Sequence, residues 1–293
     1  MSIQNVALVG ANGNLGSVIL QTLLETGTFR VTVLKRASSK SSISEGLCIV
    51  EISELGQDAV IAAFPLRNVD EHLRLADAAA AAGTVKRFIP ADYGSVDARS
   101  PRARELVKLF EDKVKVRERL EELAAASDSG FCWTSLVNGH FFDWGLTNGF
   151  LHFHPTTKKA EVLGDGSEKS SVATLGRISE AVVGVLQRLE ETRNRVLMVQ
   201  SFCVSQMEVL RSLERVMGEK WEVEYIEVDP FIKKHKESAD RGNKDSIEEL
   251  VFALGVIEGN WEVKEDFAME LLGLENEDLD EVVRKALQAA KLF

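Results

Sequence analysis

Three glycines near the start of the chain, at positions 10, 13 and 16, repeat every third residue in VALVGANGNLGSVIL. The apolar run before them predicts a buried strand over residues 6–9, and the run after them predicts a helix over residues 15–26. Glycine in such a turn permits unusual backbone angles, close approach to a pyrophosphate and tight helix–strand packing. The free N–H groups at the start of the helix then favour the anion. The spacing therefore favours a dinucleotide site over a ligand-free turn, with contacts expected from Gly10, Asn12, Gly13, Asn14, Leu15 and Gly16.

The end of the second predicted strand, residues 31–34, distinguishes between the two nicotinamide dinucleotides. An NAD site usually places an acidic residue about 20 residues after the glycines, where it bonds the ribose 2′-hydroxyl. Here Arg36 holds that position in VTVLKRASSK, with Lys40 close behind it. A guanidinium suits the 2′-phosphate of NADP, which a carboxylate would repel. We therefore expect NADPH rather than NADH, and the alternative for this segment is a solvated basic turn.

A long helix predicted over residues 103–125 carries two cations on its apolar face. At 3.6 residues per turn, Lys113 and Arg117 lie one turn apart in the middle of that face. A buried cation is costly unless it is paired or used, and a lysine in such surroundings can acquire a pKa that suits proton transfer. Two interpretations stay open: a structural one, with snorkelling or an internal salt bridge, and a catalytic one. The apolar face is formed by Leu106, Leu109, Phe110, Leu120 and Ala124.

Two segments follow predicted strands at residues 87–89 and 131–137. They read PADYGS, residues 90–95, and NGHFFDW, residues 138–144. In an open parallel sheet the ligand binds outside the carboxyl ends of the strands, and aromatic rings with a few polar groups suit a small-molecule pocket. For the two phenylalanines the alternative is core packing, and for the histidine, a candidate second proton donor, it is a packed or solvent-facing ring. The expected substrate contacts are Tyr93, Arg117, His140, Phe141 and Phe142.

The order of predicted elements indicates the fold class. Strands and helices alternate through the first half, which predicts an α/β fold with a doubly wound parallel sheet. Only six residues, SELGQD, separate the predicted strands at 47–52 and 59–64, too few for a parallel crossover. We therefore expect a local defect near one sheet edge. The predicted domains are a dinucleotide-binding domain over residues 1–145 and a smaller α+β substrate domain over 146–293. For the strand predicted near 196–201, pairing with the main sheet is the alternative to a place in the smaller domain.

Composition excludes several function classes. The 293 residues carry a formal charge of −11 with a pI near 5.1, which argues against nucleic-acid and anionic-membrane partners. There is no apolar run of about 18 residues and no leader-like start, so we expect neither a membrane span nor a signal peptide. Cys48, Cys132 and Cys203 lack a CxxC pair, and the HFH at 152–154 lacks an evident third ligand. We therefore expect a cytoplasmic protein with no disulfide framework and no metal.

Several of these segments together resemble the NmrA-like, isoflavone reductase-like branch of atypical short-chain dehydrogenases, and above all its fungal members. They are GANGNLG, the strand-end Arg36, KRFIPADYG, KVKVRERLE and WTSLVNGHFFDW. The resemblance implies a Rossmann-type domain, NADPH and a second domain that forms a substrate cleft. The reductases of this family carry a catalytic lysine in the pattern K-x-x-V/I-R, which Lys113 and Arg117 match. The further cofactor contacts that the resemblance implies are Ala63, Phe64, Pro90, Ala91 and Asn138, with Lys113.

Two departures from the family pattern keep two functions open. The helix between the third and fourth predicted strands is missing, and neither Tyr93 nor Tyr225 starts a Tyr-x-x-x-Lys motif. The first function is an NADPH-dependent reductase of a small aromatic or conjugated molecule, phenylpropanoid-like or a secondary metabolite, in which Lys113 supports the proton side of hydride transfer. The second is a non-catalytic NADP-binding redox sensor of the NmrA type. The expected partner is the small molecule, and the expected assembly is a monomer or homodimer.

The cofactor preference can be tested at Arg36. Replacing it with alanine, Arg36→Ala, removes the guanidinium expected to pair with the 2′-phosphate, so NADPH should bind much more weakly while NADH is little affected. Titration of both dinucleotides against both proteins measures this difference. An equal loss for NADPH and NADH would refute the 2′-phosphate assignment.

Overall fold

The computed structural model describes residues 2–34 and 56–293 of the chain. The predicted strand over 47–52 lies outside these ranges. So do Arg36 and Lys40, the residues expected to select NADP.

A parallel sheet forms the centre of the molecule. Its strands are β1 (Asn5–Val9), β2 (Arg30–Leu34), β3 (Ala59–Ala62), β4 (Arg87–Ile89), β5 (Cys132–Val137) and β10 (Arg195–Met198). They lie in the order β10-β5-β4-β3-β1-β2, and each neighbouring pair is parallel. This is the Rossmann-type α/β sheet that the alternating sequence pattern predicts.

Helices cover both faces of this sheet. On one face, Leu8 of β1 packs with α1 (Asn14–Glu25) and α6 (Leu175–Gln187). On the other, Ala7 of β1 packs with α2 (Val69–Ala81) and α4 (Lys108–Ala125). Because successive side chains of a strand point to opposite faces, fully buried strands of this kind need two separate cores.

The second half of the chain also contributes to these layers. β10 pairs with β5, and α6 packs on α1 and the sheet. The proposed boundary at residue 145 stays a prediction, since the chain crosses back into the main sheet after it.

Two small sheets lie beyond the main one. Their strands are β6 (His140–Phe141), β7 (Phe153–His154), β8 (Lys159–Leu163), β9 (Lys169–Ala173), β11 (Phe202–Ser205) and β12 (Glu222–Ile226). They pair in the orders β11-β9-β6 and β12-β8-β7. The accompanying helices are α5 (Phe142–Asn148), α7 (Gln206–Met217), α8 (Val228–Ala239), α9 (Lys244–Glu258), α10 (Met269–Leu272) and α11 (Leu279–Ala289).

The single helix predicted over residues 103–125 is wrong. The chain forms α3 (Pro101–Leu106) and α4, and Val107 between them is extended, with φ −136° and ψ 114°. Val107 is buried in the same cluster as Phe110, so the break places its branched side chain in the core. A β-branched residue favours such an extended conformation.

The glycine turn between β1 and α1 brings backbone against backbone. Gly10 has φ +92°, and a Cβ there would lie 2.3 Å from the carbonyl oxygen of Ala63. A Cβ on Gly16 would lie 2.1 Å from the carbonyl oxygen of Gly10. Since neither backbone oxygen can yield easily, the close approach of helix and strand requires glycine at both positions.

Substitution of Gly16 tests this packing. Gly16→Ala should lower the free energy of unfolding by about 1–3 kcal/mol, the usual cost of overpacking. The matched control is Gly176→Ala in α6, where the nearest atom to a new Cβ is 3.8 Å away. Because alanine is the better helix former, the control should be neutral or stabilising. Denaturant unfolding of both variants decides the matter, and equal stability of the two would contradict the close approach.

Candidate active site

A cleft of about 380 Å³ opens at the carboxyl ends of β1, β3 and β4. Its size is in the range of small-molecule pockets, and its place is where open parallel sheets bind ligands. Five segments that the sequence analysis selected separately meet on its wall: the glycine turn, the end of β3, the segment after β4, α4, and the segment after β5. The selected residues on the wall are Gly13, Asn14, Leu15, Ala63, Phe64, Ala91, Tyr93, Lys113 and Phe141.

The start of α1 forms one end of this cleft. Gly13 is the N-cap residue, it provides no side-chain cap, and the first turn holds no acidic residue. The backbone N–H groups of that turn are therefore not capped by a side chain, and the helix dipole favours an anion there. Gly10 and Gly16 form the tight turn behind this point, with Asn12 between them. These features fit a dinucleotide pyrophosphate.

Lys113 enters the cleft from α4. Only 8% of the residue is exposed. Its Nζ donates a hydrogen bond to the backbone carbonyl of Asp92 and lies 3.7 Å from Asp92 Oδ1. Burial lowers the pKa of Lys113, although the negative charge of Asp92 opposes that effect. The amine therefore releases its proton more readily than an exposed lysine does.

Arg117, one turn further along α4, does not line the cleft. Its Nε donates to Asp92 Oδ2 at 2.5 Å, and its Nη1 donates to Asp97 Oδ1 at 2.5 Å. Burial by itself would raise the pKa of Asp92, but the charges of Arg117 and Lys113 outweigh it and the pKa is lowered. Both cations in the apolar face are thus paired. The internal salt bridge, which the sequence left open, is confirmed for Arg117.

Pro90, Asn138 and Arg117 do not line the cleft. Pro90 and Arg117 border a smaller cavity of about 10 Å³, which shares Asp92 and Lys113 with the cleft. Asn138 is fully buried, and its Nδ2 donates to the carbonyl of Gly139. The structure therefore puts Pro90 and Arg117 next to the wall rather than on it, and Asn138 in the core.

Tyr93 lies on the cleft wall in a strained conformation, with φ +35°. Its hydroxyl is buried and has no hydrogen-bond partner among residues 2–34 and 56–293. Burial, with a contribution from the charge of Asp92, raises the pKa of Tyr93, so the phenol stays protonated. An unusual backbone angle of this kind is common at functional sites.

His140 and Phe142, predicted as substrate contacts, do not lie on the cleft wall. They border a separate cavity of about 30 Å³, and Phe142 packs edge-on against Phe202. Their neighbour Phe141 does line the cleft. The reason is strand geometry, because His140 and Phe141 are consecutive in β6 and point to opposite faces. Burial lowers the pKa of His140 to about 4, so the ring is neutral near pH 7 and a poor proton donor.

The sequence analysis did not identify Asp92 as the acid that pairs with the two buried cations. A signal was available, because two buried cations need an acid and Asp92 lies three residues after the end of a predicted strand. Leu109 and Leu66, which add apolar surface to the wall, were also missed. The sequence pattern gave them no role distinct from core packing.

Residues 2–34 and 56–293 contain neither a group of side chains arranged for a metal ion nor a helix suited to a membrane. No cluster of three His, Cys, Asp or Glu side chains in these ranges has the arrangement of a metal site. None of the helices in these ranges combines the length and the apolar character needed to cross a membrane.

The chain matches the family model described as "NmrA-like family" over residues 2–282. Among curated proteins, it is 31% identical to "Oxidoreductase aprR" of Aspergillus flavus, covering 97% of this chain and 98% of that protein.

Solved structures share the fold across the whole length. Structures of pinoresinol-lariciresinol and phenylcoumaran benzylic ether reductases superpose with a TM-score of 0.79 at 20% identity, covering 98% of this chain and 99% of theirs. AtPrR2 with NADP+ and (+)pinoresinol superposes with a TM-score of 0.76 at 20% identity, with the same coverage.

The buried His140 predicts a pH dependence of stability. The unfolded imidazole binds a proton near pH 6.5 and the folded one only near pH 4, so the unfolded state takes up more protons in between. The contribution of the neutral His140 ring to the free energy of unfolding is fully present above pH 6.5. It is lost as the pH falls toward 4, and the loss is about 3 kcal/mol at most.

Comparing the wild type with His140→Asn isolates this effect. Denaturant unfolding from pH 4 to 8 should show a shallower fall of stability on acidification in the variant. Above pH 7 the two proteins should have the same pH dependence. An unchanged slope below pH 6.5 would show that His140 does not carry the effect.

Proposed function

Because the chain belongs to the NmrA-like family, we propose that it is an NADPH-dependent reductase that transfers hydride to a small aromatic or conjugated molecule. The observation that carries this proposal is the position of Lys113, which shares one cleft wall with the glycine turn. A buried lysine beside a dinucleotide cradle supplies what a reductase needs on the proton side of the reaction. The names of the relatives support it, since one is an oxidoreductase and others are reductases.

The cofactor would be held along the carboxyl ends of the strands. The pyrophosphate would lie against the turn from Gly10 to Leu15, at the N-terminus of α1. Ala63, Phe64 and Ala91 would contact the rest of the dinucleotide, and Arg36 with Lys40 would bind the 2′-phosphate. When bound, NADPH supplies the hydride. The complex of AtPrR2 with NADP+ supports this choice of cofactor.

Lys113 would hold or deliver a proton at Nζ. Burial favours its neutral form, and the carbonyl of Asp92 fixes the direction of the amine. Tyr93 and Phe141 would border the substrate, and the apolar surface beside them would exclude water and strengthen electrostatic interactions in the cleft. An aromatic or conjugated substrate suits a wall that is mostly apolar.

An NADP-binding sensor is the second candidate. The observation in its favour is that Lys113 and Arg117 are both engaged with Asp92, as expected of a purely structural ion pair. The two functions differ in whether bound NADPH is consumed.

The decisive experiment first titrates NADPH binding and then follows NADPH oxidation against a panel of aryl enones, aldehydes and phenylpropanoid-type compounds. Lys113→Ala should bind NADPH nearly as the wild type does but lose turnover by about 10²–10⁴-fold, the usual contribution of general acid–base catalysis. The matched control is Lys115→Ala on the same helix, because Lys115 is exposed and forms a salt bridge with Asp112. It should leave turnover unchanged.

Two other outcomes would contradict this proposal or favour the second candidate. Turnover that survives in Lys113→Ala would make the lysine structural. Tight NADPH binding without oxidation of any panel compound would favour the sensor.

A further inference from the structure

Asp92 contributes a single carboxylate that lies close to two cations, and its contacts with them differ. Arg117 Nε and the Ser135 hydroxyl both donate to Oδ2. Oδ1 is buried and accepts no hydrogen bond from residues 2–34 and 56–293. It lies 3.7 Å from Lys113 Nζ, too far for a hydrogen bond. The hydrogen-bonded ion pair therefore belongs to Arg117, and the carboxylate pairs with Lys113 only at the longer distance.

Lys113 is held by a neutral group instead. Its hydrogen bond goes to the backbone carbonyl of Asp92, while Phe110 lies beneath it, with the ring centroid 5.4 Å from Nζ. A neutral carbonyl accepts a hydrogen bond from an amine in either protonation state. This contact therefore fixes the position of the amine without fixing its charge.

Arg117 carries a permanent charge. A guanidinium does not lose its proton in proteins, so Arg117 keeps Asp92 ionised and bound. Arg117 is itself 1% exposed, and its Nη1 forms a salt bridge with Asp97. Proton exchange within the cluster is thereby confined to Lys113.

The other ionisable groups facing this cluster come from neighbouring segments. His72 of α2 borders the cavity that Lys113 and Arg117 share, and Tyr93 borders the cleft beside Lys113. Burial lowers the pKa of His72 and raises that of Tyr93, so both are neutral near pH 7. The charges acting on Lys113 at close range are those of Asp92 and Arg117, with Asp97 behind them.

We infer that Asp92 and Arg117 are positioning residues for Lys113: Arg117 occupies the carboxylate, so that the Asp92 carbonyl holds the lysine amine at the cleft with its proton free to transfer. The inference rests on the proposed function, in which Lys113 is the proton-transfer residue. It predicts that the two positioning residues act on Lys113 in opposite directions.

The titration of Lys113 measures this directly, without substrate or cofactor. The full-length protein is labelled with ¹³Cε-lysine, the Lys113 resonance is assigned by its loss in Lys113→Met, and its midpoint is followed by NMR. Asp92→Asn leaves the lysine facing the guanidinium alone, so the midpoint should fall by about one pH unit or more. Arg117→Gln frees the carboxylate for the lysine, so the midpoint should rise by about as much.

Two controls separate charge from packing. Asp112→Asn removes an acid from the same helix, so it should change the titration of Lys115 but not that of Lys113. Arg117→Lys loses the guanidinium but keeps the charge, so its midpoint should stay nearer the wild type than that of Arg117→Gln. This pair also tests the inference if Asp92→Asn does not fold.

Midpoints that move in the same direction in Asp92→Asn and Arg117→Gln, or equal midpoints in Arg117→Lys and Arg117→Gln, would overturn the inference. Its failure is distinct from that of the proposed function. Opposite shifts in a protein that binds NADPH but oxidises none with the panel compounds would leave the electrostatic arrangement established and favour the sensor over the reductase.

Discussion

The contact between Asp92 and the two buried cations of α4, Lys113 and Arg117, joins that helix to the segment that forms the cleft wall. A helix that carries a lysine and an arginine into an apolar layer is unstable there unless an acid meets them, since uncompensated buried charge is far more costly than a lost apolar contact. Asp92 lies at the end of β4, in the segment that also forms the cleft wall. Pairing with Asp92 therefore attaches α4 to the carboxyl end of the sheet beside the cleft. The stability of this contact and the geometry of the cleft wall both depend on one carboxylate.

The two cations of this cluster have different surroundings, and each residue type suits its place. Arg117 is almost fully enclosed, with its Nε and Nη1 bound to Asp92 and Asp97, whereas Lys113 reaches the cleft. An arginine suits the enclosed place because its charge is permanent and its planar donors satisfy two carboxylates at once. A lysine suits the place at the cleft wall because its pKa responds to burial. The structural and catalytic interpretations of these residues are therefore compatible.

The aromatic segment after β5 shows how backbone alternation separates neighbours. Gly139 adopts φ +71°, and a Cβ there would lie 1.8 Å from the carbonyl oxygen of Ser171. The backbone at Gly139 can thus lie close to β9. Strand β6 pairs with β9 through His140 and Phe141. That pairing directs Phe141 into the cleft and His140 into a second cavity. Composition suggested one aromatic pocket, but the strand distributes its rings between two.

The sequence by itself determined the strand–turn–helix at Gly10 to Gly16, the alternating α/β pattern, and the presence of two buried cations in one helix. These features depend on contacts within a few turns of chain, where residue type and spacing specify the geometry. Tertiary structure alone decided that Asp92 is the acid, that Val107 breaks the helix, and which aromatic residue faces the cleft. Asp92 and Arg117 are 25 residues apart, and β6 takes its register from β9. Such choices follow from long-range packing, which a local pattern does not encode.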